Sequence, residues 1–308
     1  MPPAPRRATL RSIRGRILAW YLSDHRQLPF RRSRDRWPVL VAEVMLQQTQ
    51  ASRIVERFDA FIDHFPSPQA MAAVPPAAVL AAWSGLGYNR RALNLHAAAL
   101  RITADGWPST VAALEDLPGI GPYSARAIAS IAYGQPVGAV DTKVRRWLVR
   151  RFGADPADPA GLLSLANELA TTGPRPTPEE TATWTHATME FGARVCTARN
   201  PHCAACPVSR GCPSRSDPRR VPVPRPSAAT APVRSARGAL LRALSSAPDH
   251  RLGDGAARNA VAMAADGLDY VELTARLEGE GLIHRTRGGI ALGPRWPRSG
   301  RSAGLRVG

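Results

Sequence analysis

The sequence predicts an all-α protein that ends in a small α+β unit, and three observations carry that prediction. Apolar residues recur at helical spacing through most of the first 212 residues. That stretch contains no convincing strand pattern. The one hairpin signal, "LIHRTRGGIALGP" around Gly288-Gly289, comes near the C-terminal end. Taken in order, "LRSIRGRILAWYLS" from Leu10 reads as an amphipathic helix and "VLVAEVMLQQTQ" from Val39 as a more buried one. "ASRIVERFDAFIDHF", "PAAVLAAWSGLGY", "RRALNLHAAALRI" and "PSTVAALEDL" follow as short helices punctuated by Pro and Gly. Thr177-Pro178-Glu179-Glu180 is a capping-box pattern with Pro at the first helical position, and opens a helix that runs to about Phe191. The Pro- and Arg-rich segment "CPSRSDPRRVPVPRPSAATAPV" from Cys212 reads as a linker. Beyond it, "ARGALLRALSS" and "DYVELTARLEGEGLI" are helical, and helices followed by a hairpin suggest a winged-helix-like unit. The final "PRWPRSGRSAGLRVG" reads as a basic tail.

A chain of 308 residues, 44% hydrophobic, is long enough for two or three domains with their own cores. Its net charge of +17 calls for a polyanionic partner, and nucleic acid and an acidic membrane surface both qualify. No apolar run approaches the roughly 20 residues that span a bilayer. The first residues lack the apolar stretch of a secretory signal, so the expectation is a soluble cytoplasmic protein with no membrane role.

All four cysteines lie between Cys196 and Cys212, as Cys196, Cys203, Cys206 and Cys212 with the spacing C-x6-C-x2-C-x5-C. In a cytosolic chain such clustering argues for a metal centre rather than disulfides. Four thiolates hold either a tetrahedral zinc or an iron–sulfur cluster, and the donor set alone leaves both open.

"LPGIGPYSARAIASIAYG" from Leu117 places Gly119 and Gly121 in a tight turn between two helices, where backbone N–H groups can approach a phosphate. About twenty residues on, "VGAVDTKVRR" sets Asp141 ahead of a helical run, the position of an N-cap. Two residues later stands Lys143, the only lysine among 41 basic residues. It could be a nucleophile, a phosphate anchor or an ordinary helix residue. Glu43 stands alone in the apolar run "VLVAEVML". A carboxylate there needs a buried partner or a raised pKa, and so reads either as structural or as a general acid.

These motifs together resemble the endonuclease III and MutY family of DNA glycosylases. The resemblance rests on the cysteine spacing after "FGARVC", the helix-hairpin-helix string L-P-G-I-G-x-x-[ST]-A-x-A-I, and the strings "EVMLQQT" and "GLGYNRRALNLH". It covers roughly residues 10 to 212 in colinear order. The fold it implies is a two-lobed helix-hairpin-helix DNA glycosylase: a six-helix domain at 25–135 and a cluster-containing helical domain at 1–24 with 136–212. A linker at 213–233, a winged-helix-like unit at 234–294 and a basic tail at 295–308 complete the expected organisation.

The same resemblance implies one 4Fe–4S cluster on Cys196, Cys203, Cys206 and Cys212. It also implies a catalytic Asp141, and a Glu43 that protonates N7 of an adenine opposite 8-oxoguanine or guanine in double-stranded DNA. Phe30, Arg31, Leu46 and Glu190 would line the adenine pocket, and Tyr123 would support the reacting sugar beside Asp141. Gln48 and Tyr88 would enter the base stack when the adenine flips out. Gly119, Gly121, Lys143, Arg199 and Arg210 would meet the DNA, and the enzyme would act as a monomer.

Bifunctional family members carry a lysine nucleophile two residues after the second hairpin glycine. Tyr123 occupies that position here, which implies base removal without efficient strand cleavage. Phe30 stands for the family's usual Trp, Asn89 for the second Tyr of a pair, and Lys143 for an Asn that helps to hold the catalytic aspartate. The roughly 75 residues after the linker are too few for the family's Nudix-like C-terminal domain, so the chain resembles the short actinobacterial-type forms. A thymine or uracil mismatch glycosylase of the same fold, and a non-catalytic DNA-binding regulator that uses its cluster as a redox sensor, are the alternative readings.

Overall fold

The computed structural model describes residues 7–216 and 231–296. Most of the expected linker and the expected tail from residue 297 lie outside the described residues. Helices α1 (Arg7–Asp24), α2 (Arg36–Leu46), α3 (Ala51–Val55) and α4 (Phe58–His64) open the chain, with a single 3-10 turn at Pro29–Arg31. They are followed by α5 (Pro68–Ala72), α6 (Pro76–Ala82), α7 (Arg90–Asp105), α8 (Val111–Glu115) and α9 (Pro122–Tyr133). Next come α10 (Thr142–Phe152), α11 (Pro159–Thr171) and α12 (Pro178–Arg194), which leads into the cysteine loop. The C-terminal part holds α13 (Ala231–Ser246), β1 (Arg251–Gly253), α14 (Asp254–Ala262), α15 (Tyr270–Gly279), β2 (Ile283–Thr286) and β3 (Gly289–Leu292). Among the described residues no helix is long and apolar enough to cross a membrane.

The described residues fall into two compact units, 7–62 with 107–216 and 63–106 with 231–296. This division differs from the organisation expected from the sequence, because α5 to α7 group with the C-terminal helices rather than with their chain neighbours.

In the first unit, Leu10, Ile13, Ile17 and Tyr21 of α1 repeat every three or four residues and meet Trp147, Leu148 and Phe191 in one core. Phe191 takes Trp147 and Trp20 edge-on, with ring centroids 5.7 and 5.8 Å away. The capping box at Thr177 forms as expected: its hydroxyl accepts from Glu180 N, and the Glu180 carboxylate accepts from Thr177 N. Helix α9 packs against both α2 and α12, so side chains from all three elements converge at its N-terminal end.

Helix α11 was missed by the periodicity reading although Leu162, Ala166, Leu169 and Ala170 give it a buried stripe and Asp158 caps it. It has a positional role. The segment leading to Asp141 lies on it at Gly138, where Asn167 Oδ1 accepts from Gly138 N at 2.9 Å and from Arg126 Nη1 at 3.3 Å.

The second unit ends in a three-stranded antiparallel sheet of order β1-β3-β2, with Arg251 opposite Ala291 and Ile283 opposite Leu292. Its order, helix, strand, two helices and a hairpin, is that of the expected winged helix, with α14 and β1 as the elements that the sequence reading did not mark.

A Cβ added at Gly138 would sit 2.5 Å from Ala166 Cβ and 2.8 Å from Asn167 N, and backbone cannot yield cheaply. Gly138→Ala is therefore expected to destabilise the protein by about 1–3 kcal/mol, read as a lowered urea midpoint at unchanged slope.

Candidate active site and cysteine loop

Glu43 lies on the inner face of α2, 6% exposed. Burial, reinforced by the charge of Asp141, pushes its pKa up to about 7, against the opposing pull of Lys143, the Tyr123 hydroxyl and Arg31. Tyr123, in the first turn of α9, donates its hydroxyl to Glu43. Burial and the two neighbouring carboxylates raise the phenol well above its usual range, so it stays a donor. The same oxygen lies 3.6 Å from Met189 Sδ on α12.

Asp141 is the N-cap of α10, and its Oδ1 accepts from Lys143 N at 2.9 Å and Val144 N at 2.7 Å. Its Oδ2 faces Lys143 Nζ at 3.3 Å. Lys143 is therefore the aspartate's counter-ion. Two backbone donors and a cation thus surround the Asp141 carboxylate.

A second buried carboxylate organises the neighbouring wall. Glu190 on α12 is fully buried and receives Arg26 Nε at 2.6 Å, Arg26 Nη2 at 2.8 Å and Arg31 Nη1 at 2.9 Å, with Arg194 Nε at 3.9 Å. Burial alone would raise its pKa, but Arg26 and Arg31 overcome this and hold it at about 2. Tyr21, stacked on His25 at 4.4 Å, and His186 complete this wall. Burial and the Arg31 charge lower His186 to about 3, so it stays neutral. Phe30 is buried edge-on to Phe58, and Leu46 is the partly exposed last residue of α2.

The hairpin turn carries Gly119 at φ +78° and ends at Gly121, the N-cap of α9, with Pro122 at the first helical position. Gln47 joins the end of α2 to this turn: its Nε2 donates to Gly119 O at 3.0 Å and lies 3.4 Å from Ser124 Oγ. The next residue, Gln48, is exposed in the left-handed region at φ +54°. In the second unit Tyr88 does the same, at φ +47° and 51% exposed. For residues with a Cβ this conformation costs roughly 1 kcal/mol or more, and such strain is typical of functional sites.

Cys196, Cys203, Cys206 and Cys212 line one pocket. Two buried donors on the same wall, Arg151 Nε and Ser214 Oγ, have no hydrogen-bond partner among the described residues. One tetrahedral ion would be closed in by its four sulfurs. A cavity ringed by thiols and unsatisfied donors fits a larger, sulfur-rich group. Helix α10 holds the loop around it. Arg150 Nη1 donates to Thr197 O at 2.6 Å and lies 3.6 Å from Cys196 Sγ, while its Nη2 donates to Ala198 O at 3.0 Å. Arg146 Nε donates to Cys196 O at 2.8 Å, and Arg151 Nη1 to Gly211 O at 3.0 Å. Arg199 and Arg210 stand exposed on the loop itself.

Sequence reasoning missed Arg26, Gln47, His186 and Arg146, Arg150 and Arg151 of α10. Only the i, i+4 spacing of Arg146 and Arg150, on the face of α10 that also carries Val149, could have marked them as inward-facing.

Residues 41–171 match the HhH-GPD superfamily of base excision DNA repair proteins, and residues 196–212 match the iron-sulfur binding domain of endonuclease III. The chain is 44% identical over 197 residues to the adenine DNA glycosylase of Mycolicibacterium smegmatis, covering 63% of this chain and 66% of that one. It is 41% identical over 243 residues to the adenine DNA glycosylase of Mycobacterium tuberculosis, covering 75% and 78%. To the human adenine DNA glycosylase it is 37% identical over 225 residues, 68% of this chain and 40% of the human one. Among solved structures, a thermostable thymine-DNA glycosylase superposes with a TM-score of 0.62 at 25% identity, covering 68% of this chain and 97% of that one. A trapped endonuclease III–DNA covalent intermediate does so at 0.57 and 24% identity with the same coverage, which shows the shared fold.

The raised pKa of Glu43 has a consequence for stability. The unfolded chain gives up this proton near pH 4.5 and the folded one near 7, so stability falls as pH rises between those values, by roughly 3 kcal/mol in full. Glu43→Gln removes this loss. Its stability relative to the native protein should rise between pH 5 and pH 8 in urea titrations; parallel curves would show that Glu43 is ionised at low pH in the folded state.

Proposed function

The chain belongs to the adenine DNA glycosylase family, and we propose that it hydrolyses the N-glycosidic bond of adenine mispaired with 8-oxoguanine or guanine in double-stranded DNA. The observation that carries this reading is the pair of unlike carboxyl groups: Glu43, buried and half-protonated near pH 7, and Asp141, held by two N–H groups and Lys143. Adenine is a poor leaving group until N7 is protonated. Glu43 gives its proton to N7, the bond from C1′ to N9 breaks with its electrons passing to the base, and adenine leaves neutral. The sugar is left with oxocarbenium character, which the Asp141 carboxylate stabilises. Water then adds at C1′ and loses a proton, which returns Glu43 to its acid form and leaves an abasic site. Tyr123 holds Glu43 in place and presents its oxygen at the sugar.

Phe30, Arg31 and Leu46 form the adenine pocket, with Glu190 acting through the arginines that it orders. Gln48 and Tyr88 fill the base stack, and the turn at Gly119 and Gly121, with Arg199 and Arg210, meets phosphates. Cys196, Cys203, Cys206 and Cys212 hold one 4Fe–4S cluster. When bound, the cluster ties four separated points of the loop into one rigid DNA-facing surface. The enzyme acts as a monomer.

Duplexes carrying A opposite 8-oxoguanine, G or C, treated with alkali after incubation, test the reading. Cleavage of the adenine strand is expected, strongest with 8-oxoguanine or G. Glu43→Gln should lower single-turnover excision by at least about a hundredfold while duplex binding persists. Cleavage of T opposite G with none at A would replace the reading by a thymine glycosylase.

Tyr123 stands where a Schiff base would need an amine, and the Lys143 ammonium is engaged by Asp141. Borohydride is therefore expected to trap little or no protein on the abasic product. Strong trapping that Lys143→Ala abolishes would make this lysine a nucleophile.

A further inference from the structure

The turn that exposes Tyr88 is held from an unexpected quarter. The turn after α6 passes through Gly85 and Gly87 at positive φ before Tyr88. Trp83 Nε1 and Arg91 Nη2 both donate to Gly87 O, at 3.0 and 3.1 Å, and Arg91 N donates to Tyr88 O at 2.9 Å. The Arg91 guanidinium lies over both rings, 5.2 Å from Trp83 and 5.4 Å from Tyr88. The conformation of Tyr88 thus depends on where the first turn of α7 sits.

That first turn is gripped by the C-terminal helices of the same compact unit. Arg90 Nη1 donates to Glu280 O at 3.1 Å, at the C-cap of α15. Arg237 of α13 holds the Glu280 carboxylate with two bonds, of 2.7 and 2.6 Å. Apolar contacts run alongside: α13 packs on α6, a Cβ at Gly281 would be 3.7 Å from Leu93 Cδ1, and Trp296 stacks edge-on to His96 at 5.4 Å. Gly293, just past β3, approaches Ala77 N so closely that an added Cβ would lie 3.2 Å away.

Along α15 and β2, by contrast, the cations are paired. Arg276 pairs with Glu272 at 3.3 Å and Arg285 with Glu278 at 3.5 Å, beside an exposed Val271. Residues 231–296 hold nine arginines against seven carboxylates, a near balance in a chain of net charge +17. A phosphate-binding helix would present unpaired cations.

We propose that the C-terminal winged helix is a positioning element for the Tyr88 turn, acting through the relay Arg237–Glu280–Arg90 onto the first turn of α7. Its consequence for repair rests on the reading above that Tyr88 enters the base stack. The relay fixes the turn in its left-handed conformation before DNA arrives, so that insertion carries no ordering cost.

Two readouts on the full-length protein test this. The first is hydrogen exchange of residues 86–92 without DNA. The second is the fluorescence of 2-aminopurine placed beside the mispair, which rises when the stack is opened. Arg90→Leu and Arg237→Ala should speed exchange in the turn by about fivefold or more, with α9 and α12 protected as in the native protein. Both should also reduce the fluorescence rise, while Arg90→Lys, which keeps a donor for Glu280 O, restores both. Arg90 is exposed, so its substitution leaves the fold intact even if that of Arg237 does not. Unchanged exchange in Arg90→Leu overturns the relay. Faster exchange with a full fluorescence rise overturns its purpose if Tyr88→Ala removes that rise. If Tyr88→Ala leaves the rise intact while exchange is faster, the relay stands and the wedge reading of Tyr88 falls.

Discussion

Helix α10 is held at both ends. Asp141 closes its N-terminus with two backbone hydrogen bonds, Trp147 anchors its middle in the core against Phe191, and Arg146, Arg150 and Arg151 grip the carbonyls of the cysteine loop. These arginines lose much of their hydration, and burial lowers Arg146 and Arg151 from the usual guanidinium range. They remain tolerable because each finds carbonyl oxygens or cysteine sulfur as partners. One helix thereby sets the position of the Asp141 carboxylate and the shape of the loop at once.

The chemistry follows from treating three carboxyl groups in three ways. Glu43 is buried with only a phenol and distant cations for company, so it keeps its proton to about pH 7. Glu190 is buried more completely, yet two arginines hold it ionised down to about pH 2. Asp141 is met by backbone donors and Lys143. Burial penalises every charge, and the local supply of donors and cations decides whether the proton or the charge is kept.

Much of this was legible in the sequence. The cysteine spacing, the hairpin string, the Thr177 capping box and the solitary Glu43 are local patterns: the capping box forms, the glycine turn precedes α9, and Glu43 is buried. Arg26, Gln47 and His186 were not legible, because their partners lie far along the chain. The Arg26–Glu190 pair is separated by 164 residues and the Gln47–Gly119 bond by 72. In an arginine-rich chain, composition gives no hint of which guanidinium turns inward. Helix α11 was missed for a different reason: its stripe of Leu and Ala was readable, but Pro and Asp crowd its start.

The sequence by itself determined the chemical inventory and the short-range geometry: which thiols can share a centre, where helices start, and where glycine lets the backbone turn toward a phosphate. These depend on residues within a few positions of one another. Only the tertiary structure decided that burial raises the Glu43 pKa, that the Lys143 ammonium faces Asp141, and that α5 to α7 join the winged helix around the Tyr88 turn. Desolvation, ion pairing and close packing are properties of the neighbours a residue acquires on folding, and those neighbours come from all along the chain.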